Sequence, residues 1–191
     1  MTVSLRAVTT ADSARLLEWR NSPNVSAYMY TDHKIGQAEH DRWFAAALTA
    51  EDRRYWIVEL DGQAVGLANL ARIDPIIRRC DWAYYLAEAA TRGQGVGAQV
   101  EYIVLRHVFE TMNYNKLWCE VLKDNEAVWK LHQSFGFVAE AQFREHVCKG
   151  GRFQDVVGLG MLKSDWVANK AQIEDRLREK GIDPAKLPDA P

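Results

Sequence analysis

The chain is poor in most of the features that would assign it a role at once. Its three cysteines, Cys80, Cys119 and Cys148, form no CxxC and no Cys/His spacing of the kind that holds a metal. They read as reduced packing thiols of a cytoplasmic protein, and no metal is expected. No apolar run approaches the roughly 20 residues that cross a bilayer. The opening MTVSLRAVTT turns polar before any leader-like apolar stretch, so neither a membrane span nor a signal peptide is expected. An excess of charge is missing too: 24 Lys and Arg stand against 26 Asp and Glu, a net charge of −2. No broad basic face therefore invites nucleic acid or a membrane surface, although Arg78-Arg79 remains a local basic pair. Repeats and low-complexity segments are absent as well. What remains is 191 residues, 48% hydrophobic and 26% charged, the composition of one globular domain with a real core.

Periodicity and turn residues lay out the elements. SLRAVT (4–9) reads as a strand, followed by a helix with Asp12 at its N-cap and Leu16, Leu17 and Trp19 as apolar surface. Pro23, two asparagines and a serine mark 20–35 as a loop. Trp43, Phe44, Ala47 and Leu48 follow helical spacing within 37–50. RYWIVEL, the turn DGQ and AVGLANLARI form a hairpin, and 78–86 is a further strand. A glycine-opened helix then runs to about Asn113, with a strand at 116–122 and a helix at 125–135 stopped by Gly136. Two last strands join around Gly150-Gly151. A polar helix over 164–180 suits either a homodimer contact or the covering of a sheet edge. GIDPAKLPDAP reads as a loose tail. The division expected is a domain over 1–163, then the helix and tail over 164–191. This order predicts an α/β fold with helices on both faces of a mixed sheet.

The chemistry concentrates in ATRGQGVGAQVEYIVL (90–105). A P-loop would need Gly-Lys-[Ser/Thr], and here Gly97 is followed by Ala98 and Gln99. Gly93-x-Gly95-x-x-Ala98 matches a loosened dinucleotide pattern, but polar residues 88–92 separate it from the preceding strand. The third reading is Arg92-x-x-Gly95-x-Gly97. Helix-start amides lack partners inside the helix and carry partial positive charge, and glycines let that backbone close on a pyrophosphate.

This motif resembles the [QR]-x-x-G-x-[GA] signature of the GNAT superfamily of N-acetyltransferases. NEAVWKLHQSFGF (125–137) resembles that family's second signature, an asparagine-opened helix ending in Gly-Phe. The resemblance spans roughly residues 3–163. It implies a GNAT-type sheet splayed between the fourth and fifth strands, 79–86 and 116–122, and acetyl-CoA as co-substrate. Arg92, Gly93, Gln94, Gly95, Val96 and Gly97 would hold the pyrophosphate. Asn125 and Trp129 would flank the carrier, and the Leu86 N–H would polarise the thioester. Asn125, Trp129 and His132 share one stripe of their helix, beside an inward stripe of Val128, Leu131 and Phe135. His132 stands where the family often has a tyrosine that protonates the departing thiolate. A histidine suits that task, with packing beside the carrier as the alternative.

WRNSPNVSAYMY followed by HKIGQAEHDRWF is similar to the nucleotide-sugar N-acetyltransferases of the pseudaminic acid pathway. Those enzymes acetylate the 4-amino group of UDP-4-amino-4,6-dideoxy-N-acetyl-β-L-altrosamine for flagellin glycosylation. The resemblance implies that Arg20, Met29, Tyr30, His40 and Trp43 surround the UDP-amino-sugar and that Asn69 and Arg72 extend the wall. Tyr85 and Glu120 would handle the amine. Core packing is the alternative for Met29 and Trp43, and a surface-facing strand position the alternative for Glu120. Three rival functions stay open: acetylation of a protein N-terminus such as a ribosomal protein's, acetylation of an aminoglycoside or other small amine, and an acyl-CoA-binding module without turnover.

Overall fold

The computed structural model describes residues 1–88, 91 and 93–191. Strand β1 (Val3–Ala7) leads into three helices, α1 (Ser13–Asn21), α2 (Pro23–Ser26) and α3 (Gln37–Thr49). Strands β2 (Arg54–Leu60), β3 (Gln63–Asp74) and β4 (Arg79–Leu86) form a meander. Helix α4 (Val96–Arg106) separates them from β5 (Lys116–Leu122), and α5 (Glu126–Ser134), β6 (Val138–Lys149), β7 (Arg152–Leu162) and α6 (Lys163–Glu179) complete the chain. The loop expected at 20–35 contains α2, a single turn with Pro23 at its first position and extended Ser22 before it. Asp12 does precede α1, but its carboxylate binds Arg6 and the Thr9 N–H instead of capping the helix.

Among the described residues the strands form one seven-stranded mixed sheet in the order β1-β2-β3-β4-β5-β7-β6. Only the central pair, β4 and β5, is parallel, as the helical crossover α4 requires. Alternation along the strands sends two sets of side chains to opposite faces. On one face Ile57, Leu67 and Ala87 pack with Leu16, Trp19, Val25 and Phe44 from α1, α2 and α3. On the other, Trp56, Leu70, Trp82, Leu117 and Met161 meet α4, Phe135 at the end of α5, and Trp166 and Ile173 of α6. Helix α6 thus shares the main core.

The last residues correct an expectation. Residues 181–191 are packed along α4 and are not loose. Leu187 and Ala190 are buried. Arg106 donates to the Leu187 and Pro188 carbonyls, both at 2.7 Å, and pairs with Asp189 at 2.9 Å. The Trp56 indole N–H donates to the Pro191 carbonyl at 3.3 Å. The polar, Pro-rich composition hid three apolar anchors, Ile182, Leu187 and Ala190, and an arginine at the end of α4 ready to bind carbonyls.

Candidate active site

The two central strands pair only through Arg79–Lys116, Cys80–Leu117 and Asp81–Trp118. Beyond that point each follows its outer neighbour: β4 stays with β3 as far as Gly66–Leu86, and β5 with β7 as far as Leu122–Val156. The sheet opens between them. The Ala87 N–H donates to Val65 across β3 at 2.8 Å, so alternation turns the backbone N–H groups of Tyr84 and Leu86 toward the open side. A free strand edge facing a gap suits an extended, amide-bearing arm, and the Leu86 N–H lies on that edge.

Helix α4 begins beside the same strand. Gly93 and Gly95 both take left-handed φ, +78° and +75°, which makes the tight turn that presents the first amides of α4 outward. Arg92 lies outside the described residues. Gln94 is exposed, whereas Val96 is buried and anchors the turn to the core. Gly97 has a different task. A Cβ there would come within 2.9 Å of the Tyr84 hydroxyl, so glycine admits that phenol against the helix. Asn125 precedes α5, and the Trp129 indole donates to the Lys123 carbonyl at 3.0 Å with Lys130 over its ring.

His132 of α5 and Phe135 just after it are the most deeply buried side chains of this segment, so the inward stripe is rotated from the expected Val128, Leu131 and Phe135, of which the first two are half-buried. His132 Nδ1 lies 2.9 Å from Glu101 Oε1 on α4, with side-chain exposures of 4% and 0%. The imidazole also lies against the Cys119 thiol and, edge-on, 5.1 Å from the Trp82 ring. Cys119 and Trp82 are the first residues past the last β4–β5 pair, so His132 sits at the root of the opening. Burial alone lowers the pKa of this imidazole, but the Glu101 carboxylate and the Cys119 contact outweigh it and carry the value up to about 10. Glu101 was missed in the sequence. The signal was there: it is the lone charged residue in Val96–Leu105.

On the opposite face, β5 and β4 meet the loop after α2. The Tyr30 phenol donates to Glu120 Oε2 at 2.9 Å, and the Trp118 indole N–H reaches Glu120 Oε1 at 3.4 Å. Burial first, and then Glu120, push the Tyr30 pKa well above its ordinary value, so the phenol keeps its proton. Arg72 and Arg79 both pair with buried Asp81. Arg72, Arg79, Trp118 and Glu120 line an open cleft of about 480 Å³ with Asp74 and Ile77. Asp81, Arg79 and Trp118 join the site without having been foreseen. The turn between β6 and β7 is tied to the same loop: Lys149 donates to the Ser26 and Met29 carbonyls, and the Gly150 N–H donates to Asp32 at 2.8 Å.

The remaining anticipated residues divide. Asn69 and Tyr85 lie on the cleft face, in register with Ala83 and Leu67 respectively. Tyr85 stands edge-on to Trp19 at 6.5 Å, and burial raises its pKa far above the ordinary value, with Arg20 offsetting part of the rise. Arg20 donates to Thr31 at 3.0 Å. Met29 is half-buried against the α1–α3 core, and Trp43 packs edge-on to Tyr55, the β2 partner of Asn69. His40 is not brought to the cleft: it is buried, 3.0 Å from the Ser13 hydroxyl and stacked on Phe44. Its place on the inner face of α3 ties α3 to α1. Among the described residues no group of three His, Cys, Asp or Glu side chains has a metal-holding arrangement.

Residues 2–138 match the family model described as an acetyltransferase (GNAT) domain. Acetyltransferase PseH of Campylobacter jejuni (strain 81-176) is 27% identical over 135 residues, 70% of this chain and 82% of that protein. Spermidine N(1)-acetyltransferase of Escherichia coli K12 is 20% identical over 166 residues, 87% of this chain and 89% of that one. Among solved structures, spermidine N-acetyltransferase from Vibrio cholerae in complex with CoA and spermine superposes with a TM-score of 0.80. The identity is 23%, and the match covers 87% of this chain and 98% of that one.

Proposed function

The chain belongs to the GNAT acetyltransferase family, an acetyl-CoA-dependent N-acetyltransferase, and we propose that its acceptor is the 4-amino group of a UDP-linked 4-amino-4,6-dideoxy sugar. The observation that carries this reading is that Arg72 and Arg79, both anchored on Asp81, line the cleft beside Glu120. Planar guanidinium forks suit a diphosphate, while the Tyr30 and Trp118 rings suit a uracil and a 6-deoxy methyl group. The similarity of residues 20–43 to the pseudaminic acid pathway enzymes and of 135 residues of the chain to acetyltransferase PseH supports the same choice.

The amine's lone pair attacks the thioester carbonyl carbon, a C–N bond forms, the C–S bond breaks, and the nitrogen loses a proton. Acetyl-CoA supplies the activated acyl group. The α4 amides hold the pyrophosphate, and the free edge of β4 takes the arm along its Tyr84 and Leu86 N–H groups, one of which meets the carbonyl oxygen, where charge develops. Glu120 accepts the amine's proton. Tyr30 and Trp118 donate to its two oxygens and fix its direction, while Tyr85, held as a phenol, orients the amine. A sugar amine is less basic than a lysine, so a larger fraction of it is neutral near pH 7 and a carboxylate base suffices. His132 meets the sulfur at the root of the opening.

A second reading, transfer to a polyamine, draws on the longer match to the spermidine enzymes. A polycation calls for a cleft dominated by carboxylates, and here Arg72 and Arg79 balance Asp74 and Glu120 in the lining. Thiol release from acetyl-CoA, measured with a UDP-4-amino-sugar, spermidine, an Ala-starting peptide and kanamycin, tests the choice. Preference for the nucleotide sugar in kcat/KM is expected, and preference for spermidine would replace it.

A further inference from the structure

We infer that Glu101 is a positioning residue that holds His132 as a buried imidazolium, so that a fixed positive charge, and not a titrating acid, meets the sulfur as the carbon–sulfur bond breaks. The inference rests on the reading that the acyl carrier lies in the β4–β5 opening. It begins from geometry. Glu101 and His132 come from different helices, 31 positions apart, and meet at 2.9 Å with almost no solvent exposure. A buried carboxylate with a second oxygen left unpartnered is costly unless a cation faces it. The imidazolium is that cation.

The groups facing His132 are few. Glu101 approaches from α4, Cys119 from β5, and the Trp82 and Tyr84 rings from β4. Burial pushes the Cys119 thiol and the Tyr84 phenol up from their ordinary values, so both stay neutral. Burial raises the Glu101 carboxyl too, and the facing His132 opposes that rise, so the carboxylate and the imidazolium hold their charges as a pair. An imidazole held this tightly gives up its proton reluctantly. Its usefulness is electrostatic: the C–S bonding pair leaves on sulfur, and the nearby cation offsets that charge without a proton having to move. Glu101 also lies one turn beyond Gly97 on α4, so the helix that presents amides to the pyrophosphate carries the group that sets the charge near the sulfur.

Two measurements decide the matter without needing the acceptor. Nitrogen NMR of histidine-labelled protein, with His132→Gln for assignment, should show both ring nitrogens of His132 protonated at about pH 8, far above the ordinary imidazole range. Thiolate absorbance of bound CoA, followed against pH, should show its thiol about tenfold less acidic in Glu101→Gln than in the unaltered protein, one pKa unit. CoA affinity should stay within about threefold, because the amides of α4 are untouched. A neutral His132 ring at that pH in the unaltered protein overturns the inference, and needs no variant to fold. Equal acidity of the bound thiol in both proteins overturns it as well. If CoA does not bind in the opening at all, the carrier reading falls separately, and the role assigned at the sulfur falls with it.

Discussion

The Tyr30 hydroxyl donates to the Glu120 carboxylate across 90 positions of sequence, tying the loop after α2 to the strand that borders the opening in the sheet. With the Trp118 indole on the other oxygen, the carboxylate has a fixed direction and still faces the cleft. Glu120→Gln is expected to lower kcat by about 10²-fold, the usual scale of a lost general base. Tyr30→Phe, which removes one donor to that base, should lower it by about tenfold or less. Steady-state rates at saturating acetyl-CoA and acceptor check both, and a Tyr30 variant slower than the Glu120 variant would mean that the phenol itself handles the proton.

A pair on the other face carries a steric prediction. Gly97→Ala would drive a methyl group to within 2.9 Å of the Tyr84 hydroxyl. The start of α4 must then shift, and KM for acetyl-CoA is expected to rise by about tenfold, on the scale of 1–2 kcal/mol for overpacking. Tyr84→Phe removes the clashing oxygen, so Gly97→Ala/Tyr84→Phe should recover most of that loss. Independent effects in the double-mutant cycle would show that Gly97 is needed for the ligand instead of for the phenol.

The arginines of the cleft test the acceptor class. Arg72→Ala should raise KM for a UDP-amino-sugar by about 10–100-fold, as expected for a lost charge-assisted fork, while leaving KM for acetyl-CoA nearly unchanged. Arg79 remains to face Asp81, which limits the structural damage. Equal rises in KM for spermidine and for the nucleotide sugar would mean that Arg72 only shapes the wall.

Much of this arrangement was legible in the sequence, and what was not shares a physical cause. Alternation and turn residues revealed the strands, and Gly95-x-Gly97 with Asn125…Gly136-Phe137 located the opening, because those signals are local. The pairs that set the electrostatics are not. Glu101 and His132, Arg72 and Asp81, and Tyr30 and Glu120 are joined only by the folded sheet, so spacing along the chain conceals them. His40 misled for a related reason: a histidine on a helix between aromatic residues looks the same whether it faces a ligand or a neighbouring helix.

Acid stability should report the Arg6–Asp12 pair. Asp12 is buried, and Arg6, outweighing the opposing effect of burial, holds its carboxyl at about 2, with the Thr9 N–H assisting. The folded value lies below the unfolded one near 3.8. The pair's stabilisation is therefore complete above the unfolded value and is lost as pH falls through about 2. Asp12→Asn is expected to cost about 2 kcal/mol at neutral pH, on the scale of a charged hydrogen bond. The gap to the unaltered protein should narrow on acidification toward about pH 2. Urea midpoints at the two pH values check this, and a gap that widened in acid would have the wrong sign.

The packed terminus separates stability from carrier binding. Ile182 Cδ1 lies 3.1 Å from the position a Cβ on Gly95 would take, so this side chain buttresses the turn that opens α4. Beyond it, Leu187 and Ala190 are buried, and Arg106 binds two carbonyls and Asp189. Deleting residues 183–191 should cost about 3 kcal/mol, from one buried leucine and the charged hydrogen bonds of Arg106, while leaving the Gly95 turn supported. Deleting 182–191 removes the buttress as well, and should add a severalfold rise in KM for acetyl-CoA to a similar loss of stability. Thermal melts and acetyl-CoA titrations of the two truncations distinguish these effects. If both bind acetyl-CoA as the full chain does, the terminus contributes only to the core, and the glycine turn holds its shape through Val96 alone.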